Sequence, residues 1–196
     1  PQTQGGNMQT LQNVTVYCGS RFGNDPAFAA LAGELGEALG KKGFTLYYGG
    51  GTVGLMGILA DAAMAAGGKV IGVIPRVFVV KEQAHRGITR LLEVEDMSER
   101  KRILIERGDA FVVLPGGAGT LEEFADTLSH CRIYGGKKKP PIILCNAEHI
   151  YDPLKEQLRQ WVERGFLDEA DLENVYFAGD VQDILHILCP EPNPAE

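Results

Sequence analysis

The stretch with the most chemistry to offer is 109–123, DAFVVLPGGAGTLEE. Gly116, Gly117 and Gly119 let a backbone come close to a ligand. Thr120 adds a hydroxyl, and Glu122 and Glu123 add carboxylates. The apolar run ahead of the glycines reads as a buried strand, and the periodic stretch after them as a helix start. Such a start offers free N–H groups that suit a phosphate. Thr120 and Glu123 also stand at the spacing of a capping box. Glu123 therefore has two readings, one tying down the helix start and one facing a ligand as a carboxylate. Both stay open at this point.

A second charged group, Glu99-Arg100-Lys101-Arg102, lies early in another expected helix. Cations near a helix N-terminus oppose its dipole, so the placement asks for a reason. A bound anion is one, and the neighbouring Glu95, Asp96 and Glu99 are another. The three cations point in different directions, so one or two of them reach a site. Met97, next to Arg100, is a candidate to lie against a base. A carboxylate beside a phosphate-binding turn, with an arginine opposite, suits hydrolysis of a nucleotide at a sugar carbon. The carboxylate stabilises an oxocarbenium-like state and orients water, as in glycoside hydrolysis.

Other chemistries find less support. Residues 49–54, GGGTVG, fit the G-x-G-x-x-G pattern, but in the second strand–helix unit and without the acidic residue expected about 20 positions later. There is no phosphate-binding P-loop, no G-x-S-x-G elbow and no Ser-His-Asp signature. His85, His130, His149 and His186 lack metal spacing, and no metal site is expected. His85 lies in an irregular stretch and is a candidate for ligand contact. Cys18, Cys131, Cys145 and Cys189 form no C-x-x-C pair, which argues against a zinc site or a disulfide scaffold and fits a reducing cytoplasm.

The elements that must position these groups alternate. Strands are expected at 14–18, 44–48, 69–74, 110–114 and 141–145, with a sixth short strand or extended segment at 175–177. Helices are expected at 25–42, 53–66, 97–107, from 122 or slightly earlier to 133, 152–164 and 181–188. Asp25-Pro26 and Asp152-Pro153 both read as helix starts. Residues 76–96 read as an irregular crossover with short elements that could lid the site. This order predicts an α/β, Rossmann-like three-layer sandwich with a mostly parallel sheet. Three glycine-bearing turns, at 18–20, 49–52 and 116–120, then fall on the same edge of it, where ligands bind.

The 196 residues suit a single domain at 13–189, with a disordered leader at 1–12 and a flexible tail at 190–196. The net charge of -7 argues against nucleic acid as a partner. No run is long enough to span a membrane, and the opening residues lack the features of a secretory signal.

Residues 115–123 resemble the PGGxGTxxE motif of the LOG ("lonely guy") family of cytokinin riboside 5'-monophosphate phosphoribohydrolases. Asp96-Met97-Ser98-Glu99-Arg100-Lys101 is similar to the family's DMxxRK segment. Tyr17-Cys18-Gly19-Ser20, Tyr48-Gly49-Gly50-Gly51, Val53-Gly54-Leu55-Met56-Gly57 and Val70-Ile71-Gly72-Val73-Ile74-Pro75 extend the likeness over about 14–188. The resemblance implies a Rossmann-like homodimer or larger assembly with sites near its interface. It implies hydrolysis of N6-modified adenosine 5'-monophosphate, or AMP, to a free base and ribose 5-phosphate without a cofactor. It makes Arg100 and Glu123 the catalytic pair. Gly116, Gly117, Gly119 and Thr120 would hold the phosphate, Ser20 would lie near the nucleotide, and Glu82, Met97 and Lys101 would contact the ligand or assist. Two positions depart from many members: Ser98 stands where they have His, and Ala118 where they have Tyr. Both bear on the preferred base.

Family members have often been labelled lysine decarboxylases. A pyridoxal-phosphate decarboxylase needs a Schiff-base lysine, and none stands beside the central turn. The alternative outside enzymes is a nucleotide- or cofactor-binding carrier on the same scaffold.

Overall fold

The computed structural model describes residues 11–81, 83–136 and 139–190. Residues 1–10 of the expected leader, Glu82 and the tail from 191 lie outside the described residues.

Seven strands form one sheet: β1 (Asn13–Tyr17), β2 (Thr45–Tyr48), β3 (Lys69–Pro75), β4 (Arg90–Val94), β5 (Ala110–Val113), β6 (Ile142–Cys145) and β7 (Val175–Ala178). Their order is β4-β3-β2-β1-β5-β6-β7, and every pair is parallel. The central strands are buried on both faces, which explains their continuous apolar runs. The helices are α1 (Pro26–Lys42), α2 (Gly54–Ala65), α3 (Arg76–Val80), α4 (Met97–Arg107), α5 (Ala118–Tyr134), α6 (Asp152–Glu163) and α7 (Val181–Leu188). Side chains of α1, α2 and α7 pack on one sheet face around Val16, Leu46 and Val112. Those of α4, α5 and α6 pack on the other around Phe111, Val113 and Leu144. The three-layer expectation holds.

Local chemistry sets the ends. The Asp25 carboxylate accepts from the Ala27 N–H, Pro26 opens α1, and Gly43 closes it at φ 77. Gly36 lets α1 cross α2 closely, since a Cβ there would stand 2.3 Å from the Leu59 carbonyl.

Four expectations need correction. Residues 90–94, read as part of an irregular crossover, form the edge strand β4. It has one neighbour, β3, and only its last residue is fully buried, so its charged residues Arg90 and Glu93 are tolerated. Helix α5, expected from Glu122 or slightly earlier, begins four residues before it at Ala118. Asp152 does not cap α6; Tyr151 stands at the cap, and the Asp152 carboxylate accepts from Asn146 Nδ2 instead. The end of the expected leader is tied down, because Gln12 N donates to Asp109 and Leu11 packs on the core.

Candidate active site

β1 and β5 are neighbours, yet the chain leaves them in opposite directions across the sheet, towards β2 and towards β6. The loops at their carboxyl ends part and leave a crevice. Gly19 N donates to the Pro115 carbonyl at 3.0 Å and joins the two loops. A cavity of about 770 Å³ opens there, walled by the turns after β1, β2 and β5.

Arg100 from the first turns of α4 and Glu123 from α5 both line this cavity and are both buried, at 6% and 7% exposure. Their closest approach, Arg100 Nη2 to Glu123 Oε1, is 3.9 Å, an ion pair without a hydrogen bond. Burial pushes the Glu123 carboxyl up to about 7, against the opposing pull of the Arg100 guanidinium. Arg100 Nη1 donates to the Met97 sulfur at 3.5 Å, and its buried Nε has no partner. A guanidinium this poorly satisfied is set to receive an acceptor oxygen. Behind Glu123, Thr127 Oγ1 donates to the Glu123 carbonyl at 2.8 Å. Its only proton is then used, so the Tyr17 hydroxyl, 2.8 Å away, donates to it. That chain fixes the first turns of α5 to β1.

The capping-box reading of Thr120 and Glu123 does not survive. Gly117 is the N-cap of α5, and no side chain caps it. Glu123 falls on the second turn, where its side chain faces the cavity. The N-terminus of α2, at Val53, likewise has no side-chain cap, and both helix starts line the cavity. Together they offer unpaired N–H groups to an anion.

The glycines divide by purpose. At Gly116 a Cβ would stand 2.1 Å from Thr120 Oγ1, so packing requires glycine. At Gly117 and Gly119 a Cβ would meet nothing within 4 Å, and neither has a positive φ. The fold alone does not need glycine there; a ligand lying against the helix start would.

Ser20, Met97, Gly116, Gly117, Gly119 and Thr120 all line the cavity with the buried pair. Lys101 does not: its ammonium lies 2.7 Å from both Glu122 and Asp126. Glu82 lies outside the described residues. His85 is away from the lining, with Nε2 2.7 Å from Asp61 Oδ1. Ala118 is in the lining and Ser98 is not. Sequence reasoning missed Gly49, where a Cβ would stand 1.9 Å from Arg100 Nη2. The run of glycines at 49–51 was visible, but not which cation it makes room for. It also missed Cys18 as cavity floor, a thiol that burial keeps protonated. Among the described residues no group of three or more His, Cys, Asp or Glu side chains is placed to hold a metal.

A family model described as "Possible lysine decarboxylase" matches residues 56–188. A cytokinin riboside 5'-monophosphate phosphoribohydrolase of Rhodococcoides fascians is 40% identical over 174 residues, covering 88% of this chain and 87% of that one. The protein of the same name from Mycobacterium tuberculosis is 37% identical over 180 residues, covering 90% and 93%. Among solved structures, the molybdenum cofactor binding protein of Rippkaea orientalis superposes with a TM-score of 0.70 at 20% identity, covering 92% of this chain and 96% of that one. At that identity the likeness concerns the fold.

Proposed function

The chain belongs to the LOG family of cytokinin riboside 5'-monophosphate phosphoribohydrolases, and we propose that it hydrolyses the N-glycosidic bond of adenosine 5'-monophosphates, N6-modified or plain, at the cavity between β1 and β5. The observation that carries this reading is the buried Glu123 carboxylate beside an under-satisfied Arg100, at the floor of a cavity rimmed by two uncapped helix starts.

The phosphate lies against the start of α5, where Gly117 and Gly119 leave room and Thr120 adds a hydroxyl. Ser20 borders the nucleotide, and Met97 lies against its base. Arg100 donates to a substrate oxygen through the groups that have no protein partner. As the C1'–N9 bond breaks, its electron pair leaves with the base and positive charge develops on the sugar. The Glu123 carboxylate stabilises that charge. Water bonds to C1', Glu123 takes the proton that water releases, and that proton is then available to the departing base. The net reaction adds one water and gives free base and ribose 5-phosphate.

The protein is further proposed to be a cytoplasmic homodimer. Support comes from Ile133 and Tyr134, successive large apolar side chains at the end of α5 that stand exposed at 70% and 72%. No described helix is long and apolar enough to cross a membrane.

Chromatography of mixtures with AMP and with adenosine tests the reading. Free adenine and ribose 5-phosphate from AMP, with adenosine left intact, is the expected result. AMP held uncleaved over long incubation by folded protein would favour the carrier reading instead.

A further inference from the structure

Arg100 and Glu123 sit at the junction of α4 and α5, and a second ionic contact lies one residue along from each. Lys101 Nζ stands 2.7 Å from Glu122 Oε1 and 2.7 Å from Asp126 Oδ2. Its side chain is only 18% exposed, while the two carboxylates remain open to solvent. Glu122 and Asp126 are four apart on α5 and share a face, so one ammonium bridges both. The Asp96 carboxylate, which accepts from Glu99 N, and the buried Arg100 also hold this end of α4. Its first fully buried apolar side chain is Leu104, a turn beyond Arg100.

We propose that Lys101 is a positioning residue: it clamps the first turns of α4 to α5 and offsets the two carboxylates that flank Glu123, so that the Arg100–Glu123 pair keeps its spacing and its charge. This accounts for a cation early in α4 that neither lines the cavity nor suits the helix dipole. The groups that face Glu123 can be taken element by element. From α4 come Arg100 and Lys101, which favour its charged form; from α5 come Glu122 and Asp126, which oppose it. From β1 comes Tyr17 and from the turn after it Cys18, both held protonated by burial. Removing Lys101 leaves Glu122 and Asp126 unopposed beside the catalytic carboxylate. The Glu122 and Asp126 bonds in turn hold Lys101 charged, pushing its ammonium up to about 12.

The effect on turnover rests on the phosphoribohydrolase reading, but the effect on Glu123 does not. The experiment is therefore a titration of the Glu123 side-chain carboxyl by carbon-13 NMR, joined to a pH profile of AMP hydrolysis. Lys101→Met should raise the Glu123 midpoint by about half a unit or more. It should lower kcat near neutrality on the order of tenfold with little change in KM. Lys101→Arg should restore both. Adding Glu122→Gln and Asp126→Asn to Lys101→Met should bring the midpoint back down, to its starting value or below it, because the two carboxylates together outweigh Lys101. The Glu122→Gln/Asp126→Asn pair alone, which keeps Lys101, should lower the midpoint and serves if Lys101→Met does not fold. An unmoved midpoint in these variants overturns the proposal. So does a rise in KM that the added substitutions leave in place, since that marks Lys101 as a substrate contact. If wild-type protein leaves AMP intact while the midpoints move as stated, the failure lies with the proposed reaction and not with the clamp.

Discussion

In the proposed reaction Glu123 carries an unfavourable charge for the sake of chemistry. Its carboxyl is shifted from an ordinary 4.5 to about 7 because burial outweighs the pull of Arg100. Between those values the folded chain binds a proton that the unfolded chain has lost, so stability falls as pH rises through that window. The loss is on the order of 3 kcal/mol. Urea melts from pH 4.5 to 8 should show the fall in wild type and a flatter profile in Glu123→Gln. Activity has the opposite sign if Glu123 is the proposed base, which must be ionised: turnover should drop as pH falls through about 7. Glu123→Gln should lose about 10²- to 10⁴-fold in kcat while matching or exceeding wild-type stability above pH 7. A Gln variant that unfolds would reveal a structural carboxylate. At this scale the sequence was partly legible. The carboxylate, the arginine and the glycine turn were all in view. Whether Glu123 faced a cap or a cavity turned on where α5 begins, four residues earlier than expected, and local spacing does not fix that.

At the scale of elements, the start of α5 separates packing from ligand contact. Gly119 lies in the first turn of a helix with open space around it, so alanine there should stabilise the fold by up to about 1 kcal/mol. If the phosphate lies against this turn, the same substitution raises KM for AMP about tenfold or more. A thermal melt and a KM measurement on Gly119→Ala check both halves, and an unchanged KM would move the phosphate elsewhere. Gly49→Ala should instead displace the guanidinium and lower kcat, because its Cβ would meet Arg100 Nη2. Most elements could be read from apolar runs bounded by Asp, Pro and Gly. The exceptions were the five-residue α3 and β4, an edge strand paired only with β3, whose charges Arg90 and Glu93 broke the pattern expected of a buried parallel strand. Asp152 misled for a different reason: its side chain is taken by Asn146, so the Asp-Pro pair opens α6 without capping it.

For the whole molecule, the position of the site follows from topology. The chain runs outward from β1 through β2, β3 and β4, then returns to place β5 on the other side of β1. The crevice at that reversal brings together turns that are almost a hundred residues apart in the chain. The alternation of strands and helices made this arrangement legible. The pairing of α4 with α5 was not, because it depends on how two helices meet on one face of the sheet. The phosphate site proposed at the reversal also sets what the protein should bind. Inactive Glu123→Gln should gain stability from AMP, by about 2.7 kcal/mol at a hundredfold excess over Kd. Adenosine at the same concentration should give much less. The most direct test of the central claim is a chromatographic product assay with AMP and N6-isopentenyl-AMP, run beside Glu123→Gln. Free base and ribose 5-phosphate should appear with wild-type protein and be lost in the variant. Equal turnover by both proteins would contradict the role given to Glu123, and intact substrate with folded, nucleotide-bound wild type would contradict the reaction itself.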